Sequence, residues 1–232
     1  MNGHNVKSLV RTTVQLLVFF FLVPFLPLLV SRHWDWWEAW AFALVCICGF
    51  LLSRMVVAKY NPDLIAERAR FTGHTDIKSW DRVLAPLVGL GSVLIPLAAG
   101  LEMLYGRTTD FGMPVKVLAF IMIAGGYALG SYALYANRFF SGVVRIQSDR
   151  GHRVISAGPY RWVRHPGYAG ALAASAAIPF FLDSYWAFAP LLLWAIVLFI
   201  RTSLEDRTLQ DELEGYRDYA QRVRYRLVPG IW

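Results

Sequence analysis

Charge is scarce in this chain. Only 17% of its 232 residues are Asp, Glu, Lys or Arg, against 56% hydrophobic and 15% aromatic, and mean hydropathy is +0.42. Soluble domains carry about 25% charge, so the composition argues against a water-soluble globule. Cysteine is nearly missing too, with Cys46 and Cys48 alone. Two positions apart on a helix, they point to different faces. That excludes a disulfide framework and leaves two apolar thiols. No His, Cys or carboxylate spacing resembles a zinc or haem site. Internal repeats and low-complexity tracts are absent.

What is present is a series of long apolar runs. A membrane span takes about 20 mostly apolar residues. The runs at 14–30, 39–58, 83–105 and 115–136 meet that rule. Those at 168–182 and 186–200 are shorter, a few ångström under a core of about 30 Å. They read as a tight helical hairpin turning at Asp183-Ser184. The fold class is therefore an all-α integral membrane protein with about six hydrophobic segments, the last two a short hairpin. The first run follows Lys7 and Arg11 as a signal peptide would. It carries Pro24 and Pro27 and enters "SRHWDWW" without a small-residue cleavage site, so it reads as a retained span.

The formal net charge of +7 is explained by position. With the N-terminus in the cytoplasm and six alternating spans, only Arg32, Arg107 and Lys116 of the 23 Lys and Arg fall outside. That obeys the positive-inside rule and places both termini in the cytoplasm. The basic charge is then a topology signal and a lip for anionic headgroups, not a nucleic-acid footprint. The four tryptophans of "SRHWDWWEAW" read as an interfacial aromatic belt, with a ligand-facing role as the alternative. In the first inner loop, residues 63–70 suit a short interfacial helix, and His74 is expected in solvent.

Polar residues concentrate in two stretches, 137–166 and 201–232. They flank the hairpin, so they must meet on one side of the membrane, where a buried polar pocket has its natural place. The chain divides accordingly into a four-span membrane region, 1–136, and a C-terminal region, 137–232.

The string "GPYRWVRHPGYAG", Gly158 to Gly170, stands at the mouth of the hairpin. Gly158-Pro159 enforces a turn, and Pro166 suits the first turn of a helix. His165, before a proline, is held extended beside the unsatisfied N–H groups of a helix N-terminus. Gly167 permits close backbone approach. Such a turn offers donors, an imidazole and an arginine to a polar or anionic ligand. It is equally a basic interfacial loop that anchors the hairpin.

Residues 152–232 resemble the C-terminal half of the isoprenylcysteine carboxyl methyltransferase family, part of a wider group with the phospholipid N-methyltransferases. The likeness rests on "HRVISAGPYRWVRHPGYAG", a hairpin, then "RTSLEDRTL" and "GYRDYAQRVRYRLVP". It implies S-adenosylmethionine as cofactor, at the cytoplasmic face of the membrane. It carries cofactor contacts onto His152, Arg153, Val154, Ile155, Tyr160, His165, Pro166, Gly167, Tyr168 and Glu205. It carries the substrate-facing, catalytic arginine onto Arg201. Two positions depart from the pattern: Arg145 stands where eukaryotic members have a glutamine, with Gln147 two residues on, and Glu205-Asp206 replaces a pair of glutamates.

Methyl transfer is an in-line displacement that needs alignment and exclusion of water. A carboxylate acceptor is ionised at neutral pH and needs a clamp rather than a base. Arginine suits that clamp, because its planar fork binds carboxylate at two points. Arg201 and Glu205, four apart, share a helix face, so the same pair also reads as a plain surface salt bridge. Tyr160 and Tyr168 offer ring faces to a sulfonium. Arg164 would brace the loop or meet a headgroup. Leu209, Leu213, Tyr216, Ala220, Val223 and Leu227 mark one apolar face of a single cytoplasmic amphipathic C-terminal helix, stopped at Pro229.

The expected partner is a lipid-like or prenylated acceptor met in membrane lipid, with no nucleic acid. Three other readings stay open. A phospholipid N-methyltransferase would need a base to deprotonate its amine. An NADPH-dependent membrane enone or sterol reductase carries a similar "RHPxY" turn. A non-enzymatic membrane scaffold is the last.

Overall fold

The structure, a computed structural model, describes residues 22–69, 74, 76–106 and 109–232. Among them there are helices and no strands. After a 3-10 turn at Val23–Phe25 come α1 (Leu26–Ser31), α2 (Trp37–Tyr60), α3 (Pro62–Ala69), α4 (Asp81–Leu104), α5 (Met113–Ala136), α6 (Pro166–Phe181), α7 (Phe188–Glu212) and α8 (Tyr216–Arg222). Four of these, α2, α4, α5 and α7, are long and apolar enough to cross a membrane. Residues 14–21 of the first predicted span lie outside the described residues, and the rest of it falls on the turn and α1.

Helix α5 packs on α2 and, most extensively, on α6, while α4 packs on α1 and α7. The core between them is aliphatic and aromatic: Leu28, Phe42, Ile95, Ile123, Phe181, Trp194 and Leu198 are all buried. The outer surfaces stay greasy, with Leu44, Leu52, Met55, Ile121, Leu192 and Leu193 exposed. A water-soluble bundle would place polar residues there. Hydrocarbon is the solvent that such a surface fits. Cys46 is buried and Cys48 exposed, as their spacing predicts.

At the end carrying the α6–α7 turn, Lys116 is buried and reaches Glu38 at 2.7 Å, Asp183 at 2.6 Å and Asp110 at 3.3 Å. Glu102 accepts from Trp186 N–H at 2.8 Å and from the Ser184 hydroxyl. The predicted turn at Asp183-Ser184 is thus tied by two charged groups. Trp34, Trp37, Trp40 and Trp186 are exposed around this end, whereas Trp36 turns into the core.

Three expectations are corrected. The second arm of the hairpin is not short: α7 runs 25 residues. The apolar run stops at Ile200, but nothing breaks the helix there, so it continues with a polar half. The C-terminal segment is not one helix. Gly215 adopts φ +75°, a left-handed conformation that ends the helical path, and α8 ends at Arg222, well before Pro229. The apolar positions Leu209, Leu213, Tyr216, Ala220 and Val223 still meet in one cluster. His74 is not bathed in solvent, for its side chain is 13% exposed and 3.3 Å from Glu67.

The α5–α6 seam is set by glycine. A Cβ on Gly126 would fall on the Gly170 carbonyl oxygen, and one on Gly170 would lie 2.5 Å from the Gly126 carbonyl oxygen. Backbone meets backbone there, the close approach that small residues allow in membrane helices. Gly125, one position away, has nothing within 4 Å of such a Cβ. Gly170→Ala is expected to destabilise the detergent-purified protein by about 2 kcal/mol or more. Gly125→Ala should be neutral or slightly stabilising. Thermal unfolding followed by size-exclusion checks both; equal melting of the two variants would refute the seam.

Candidate functional site

The other end of the bundle holds a cavity of roughly 740 Å³, counting its open mouth. It lies where the C-terminus of α5, the N-terminus of α6 and the polar half of α7 converge. The segment 137–155 forms one wall, and Leu209, Leu213, Tyr216 and Tyr219 form another. Every residue of the expected cofactor set except Pro166 lines it: His152, Arg153, Val154 and Ile155 from the loop, Tyr160 from the 3-10 turn Gly158–Arg161, His165, Gly167 and Tyr168 from the start of α6, and Glu205 from α7. Pro166, which starts α6, and Arg201 are behind the lining. A side chain at Gly167 would collide with the Phe140 ring, so glycine there leaves room for both.

The turn is held by one carboxylate. Asp206 is fully buried. Its Oδ1 accepts from Arg164 Nε at 2.7 Å, Tyr216 Oη at 3.1 Å and His165 Nε2 at 3.2 Å. Its Oδ2 accepts from Arg164 Nη2 at 2.8 Å, and from Arg226 Nε and Gln210 Nε2 at 2.9 Å each. An ionised carboxylate accepts at both oxygens and donates nothing, so it can gather these donors, which share its roughly four lone-pair sites. Arg164 also donates Nη1 to the Val223 and Arg224 carbonyls, and the backbone N–H groups of Arg164 and His165 donate to Tyr225 and Arg226. Arg164 therefore braces the loop rather than facing a headgroup. His165 is oriented by Asp206 and stacks on Tyr168 with centroids 5.8 Å apart.

Arg201 corrects an expectation. Its fork is already filled: Nε and Nη2 meet Asp81 at 2.7 and 3.1 Å, and Nη2 also meets the Gly142 carbonyl at 3.0 Å. Nη1 donates to the Tyr168 hydroxyl at 2.6 Å, which in turn donates to Glu205 Oε2 at 2.6 Å. The direct Arg201–Glu205 bridge is not formed; Tyr168 stands between. Asp81, fully buried, additionally accepts from Val144 N–H at 2.6 Å. It ties the start of α4 to the cavity wall.

Arg145, one of the departures from the pattern, and Gln147 beside it are both held by structural contacts. Arg145 is buried against Glu67 and Asp76 at 3.0 Å each and Asp149 at 2.9 Å. Burial opposes its charge, but these acids outweigh burial and raise its pKa. Gln147 donates Nε2 to the Phe139 carbonyl at 2.7 Å and accepts from Arg150. Sequence reasoning did not pick out Asp81, Asp206 or Phe140 for the site. A lone acid at a helix start and a phenylalanine in a loop carry no signal of their own, and Asp206 was visible only as half of an acidic pair.

His152 is kept neutral. Burial, then the charges of Arg145 and Arg150, push its pKa down to about 4, and Nδ1 accepts from Gln147 N–H at 3.3 Å. Burial likewise pushes the Tyr160 hydroxyl up.

A membrane helical bundle with a polar, aromatic cavity at one end is the class that fold and site define. Comparison with known proteins narrows it. Residues 117–211 match the model of the isoprenylcysteine carboxyl methyltransferase (ICMT) family. A 59-residue segment is 37% identical to a probable protein-S-isoprenylcysteine O-methyltransferase of Oryza sativa subsp. indica, and equally to one of subsp. japonica. It covers 25% of this chain and 31% of each relative, so the chain spans about a third of the length of the curated relatives it matches. The structure of the eukaryotic intramembrane Ras methyltransferase ICMT superposes with a TM-score of 0.62 at 19% identity, over 100% of this chain and 88% of that one. That is a likeness of fold. The resemblance read from the C-terminal motifs is thus found independently, and the matched residues reach back into α5.

Asp206→Ala would strand Arg164 and Arg226 and is expected to cost about 3–5 kcal/mol, read as loss of a monodisperse folded species. Retention of wild-type melting would refute its central place. For His152, the folded pKa lies below the ordinary 6.5. As pH falls, the unfolded chain takes up the proton first. Its contribution is full above about pH 6.5 and is lost toward pH 4. The wild-type melting temperature should therefore fall more steeply between pH 6.5 and 4 than that of His152→Gln. Parallel curves would show that His152 is not held neutral.

Proposed function

We propose that this chain is an S-adenosylmethionine-dependent membrane methyltransferase acting on a lipid-like, isoprenylcysteine-type acceptor. The observation that carries the reading is the cavity: nine of the ten motif residues assigned to the cofactor, scattered over 54 positions from His152 to Glu205, line one cavity. The lining fits the cofactor. Tyr160, Tyr168 and Phe139 offer ring faces, Val154, Ile155 and Leu213 an apolar wall, and Glu205 a carboxylate, while the neutral His152 adds no repelling charge. The cofactor, when bound, supplies a methyl group on a positively charged sulfur. Aromatic faces and one carboxylate are suited to that charge.

In this reading, Tyr160, His165 and the segment His152-Arg153-Val154-Ile155 hold the cofactor, and Glu205 takes one of its polar ends. Pro166 sets the first turn of α6, and Gly167 leaves the space. Arg201, with its fork on Asp81, positions Tyr168 and through it Glu205. The packed tyrosines of α8 exclude water, which an in-line transfer requires. An acceptor carboxylate is ionised at neutral pH and asks for no base. Region 1–136 serves as the membrane part and 137–232 as the cofactor-binding part, stitched together by Asp81–Arg201 and Glu67–Arg145. The cavity faces the cytoplasm with both termini, as the basic charge around it favours.

Calorimetry on the detergent-purified protein tests this. S-adenosylhomocysteine is expected to bind at micromolar concentration and NADPH not at all, and Glu205→Ala or His165→Ala should weaken binding at least tenfold. Binding of NADPH alone would replace the reading with the reductase. Turnover that falls steeply below neutral pH would replace the carboxylate acceptor with an amine.

A further inference from the structure

Two arginines, Arg54 and Arg68, have no acid among the described residues. Arg68, on α3, donates Nη1 to the Phe140 carbonyl at 3.0 Å, and its guanidinium lies 5.5 Å from that ring's centroid. Arg54, on α2, lies 5.4 Å over the Phe50 ring, and its Nε is buried with no hydrogen-bond partner. Both flank one contact. Val57, one turn on from Arg54, packs with Leu64, one turn before Arg68, and Phe140 packs against them. Neither arginine has a carboxylate within ion-pair distance among the described residues. The remaining residues of the chain contain no Asp or Glu at all.

The neighbours make the contrast plain. Arg145, Arg164, Arg201 and Arg226 each meet at least one acid. Arg68 instead feels burial first, then the like charge of Arg54; Tyr168 and Tyr160 act the other way, but Arg201 adds further repulsion, and its pKa falls to about 10. Half-buried charges of one sign without a counter-ion are costly. Phe140 is the partition: its backbone holds Arg68, its ring lines the cavity, and Tyr168 meets that ring edge-on at 6.5 Å. A group bound by Arg68 would therefore stand just behind the cavity wall, on the side of α2 and α3.

We propose that Arg54 and Arg68 form a binding site for an oxyanion carried at the membrane interface, a carboxylate or a phosphate. The guanidinium fork binds either at two points. The carboxylate has its source in the acceptor itself, and in that form the inference rests on the proposed methyl transfer. The phosphate has its source in an anionic lipid headgroup. Arg201 does not compete for this role, because Asp81 already fills its fork.

The test uses the full chain in phosphatidylcholine nanodiscs, with S-farnesylcysteine as probe, as the free acid and as its methyl ester. A second set of nanodiscs is formed from phosphatidylcholine and phosphatidylglycerol, and the lipid retained by the protein is measured. S-adenosylhomocysteine binding is read on every sample. With the carboxylate source, Arg68→Ala and Arg54→Ala each lose at least tenfold in affinity for the acid and nothing for the ester, and Arg68→Lys recovers part of the loss. With the phosphate source, wild type enriches phosphatidylglycerol and both alanine variants do not. In either case S-adenosylhomocysteine binding is unchanged. Wild-type acid affinity together with wild-type lipid enrichment in both variants overturns the site. If wild type fails to bind S-adenosylhomocysteine yet keeps the acid preference or the lipid enrichment, the methyl-transfer reading falls and the oxyanion site stands.

Discussion

The cavity depends on a charge that has nowhere else to go. Asp206 sits at zero exposure with six donors on two oxygens. Those donors come from the turn before α6, from α7, from α8 and from the tail at Arg226. A buried carboxylate of this kind is stable only while all its partners converge. Its presence therefore compels four separated pieces of chain to share one position. The tyrosines of α8 wall the cavity because Tyr216 must reach Asp206, and His165 points as it does because Nε2 must too. A second, similar knot at Asp81 fixes the opposite wall by holding Val144 and Arg201 together.

The division between what was readable in the chain and what was not follows from range. The turn at Asp183-Ser184 is local, and the structure has it; of the six apolar runs, four fall on helices long and apolar enough to cross a membrane. The motif residues from His152 to Glu205 were readable because their types and spacing repeat a known pattern, and all but Pro166 and Arg201 line one cavity. Arg201 reads from sequence as a clamp or as the partner of Glu205, because those are its local options; the acid that fills its fork, Asp81, is 120 positions away and no local pattern links the two. The C-terminal apolar stripe was readable as a face but not as two pieces, because the period survives the left-handed Gly215. The polar half of α7 was hidden by hydropathy, which senses the membrane boundary and not the end of a helix.

Glycine and charge divide the labour along the bundle's length. In the apolar middle, Gly126 and Gly170 let two backbones touch, and no polar group is needed to hold them. At the ends, where chain must leave the bilayer, ion pairs take over: Lys116 with three acids at one end, Asp81 and Asp206 at the other. This is the order expected of a chain whose solvent changes twice along each helix.

Helix α6 is only 16 residues long, or about 24 Å at 1.5 Å per residue. A bilayer core of about 30 Å must thin beside it, or the start of α6 must sit below the level of its neighbours. In the second case the first residues of α6 are sunk by roughly one helical turn. The cavity then opens at the depth of the upper acyl chains and not in the headgroup layer. A molecule with a long hydrocarbon tail would reach an opening at that depth by sideways diffusion, its tail never leaving oil.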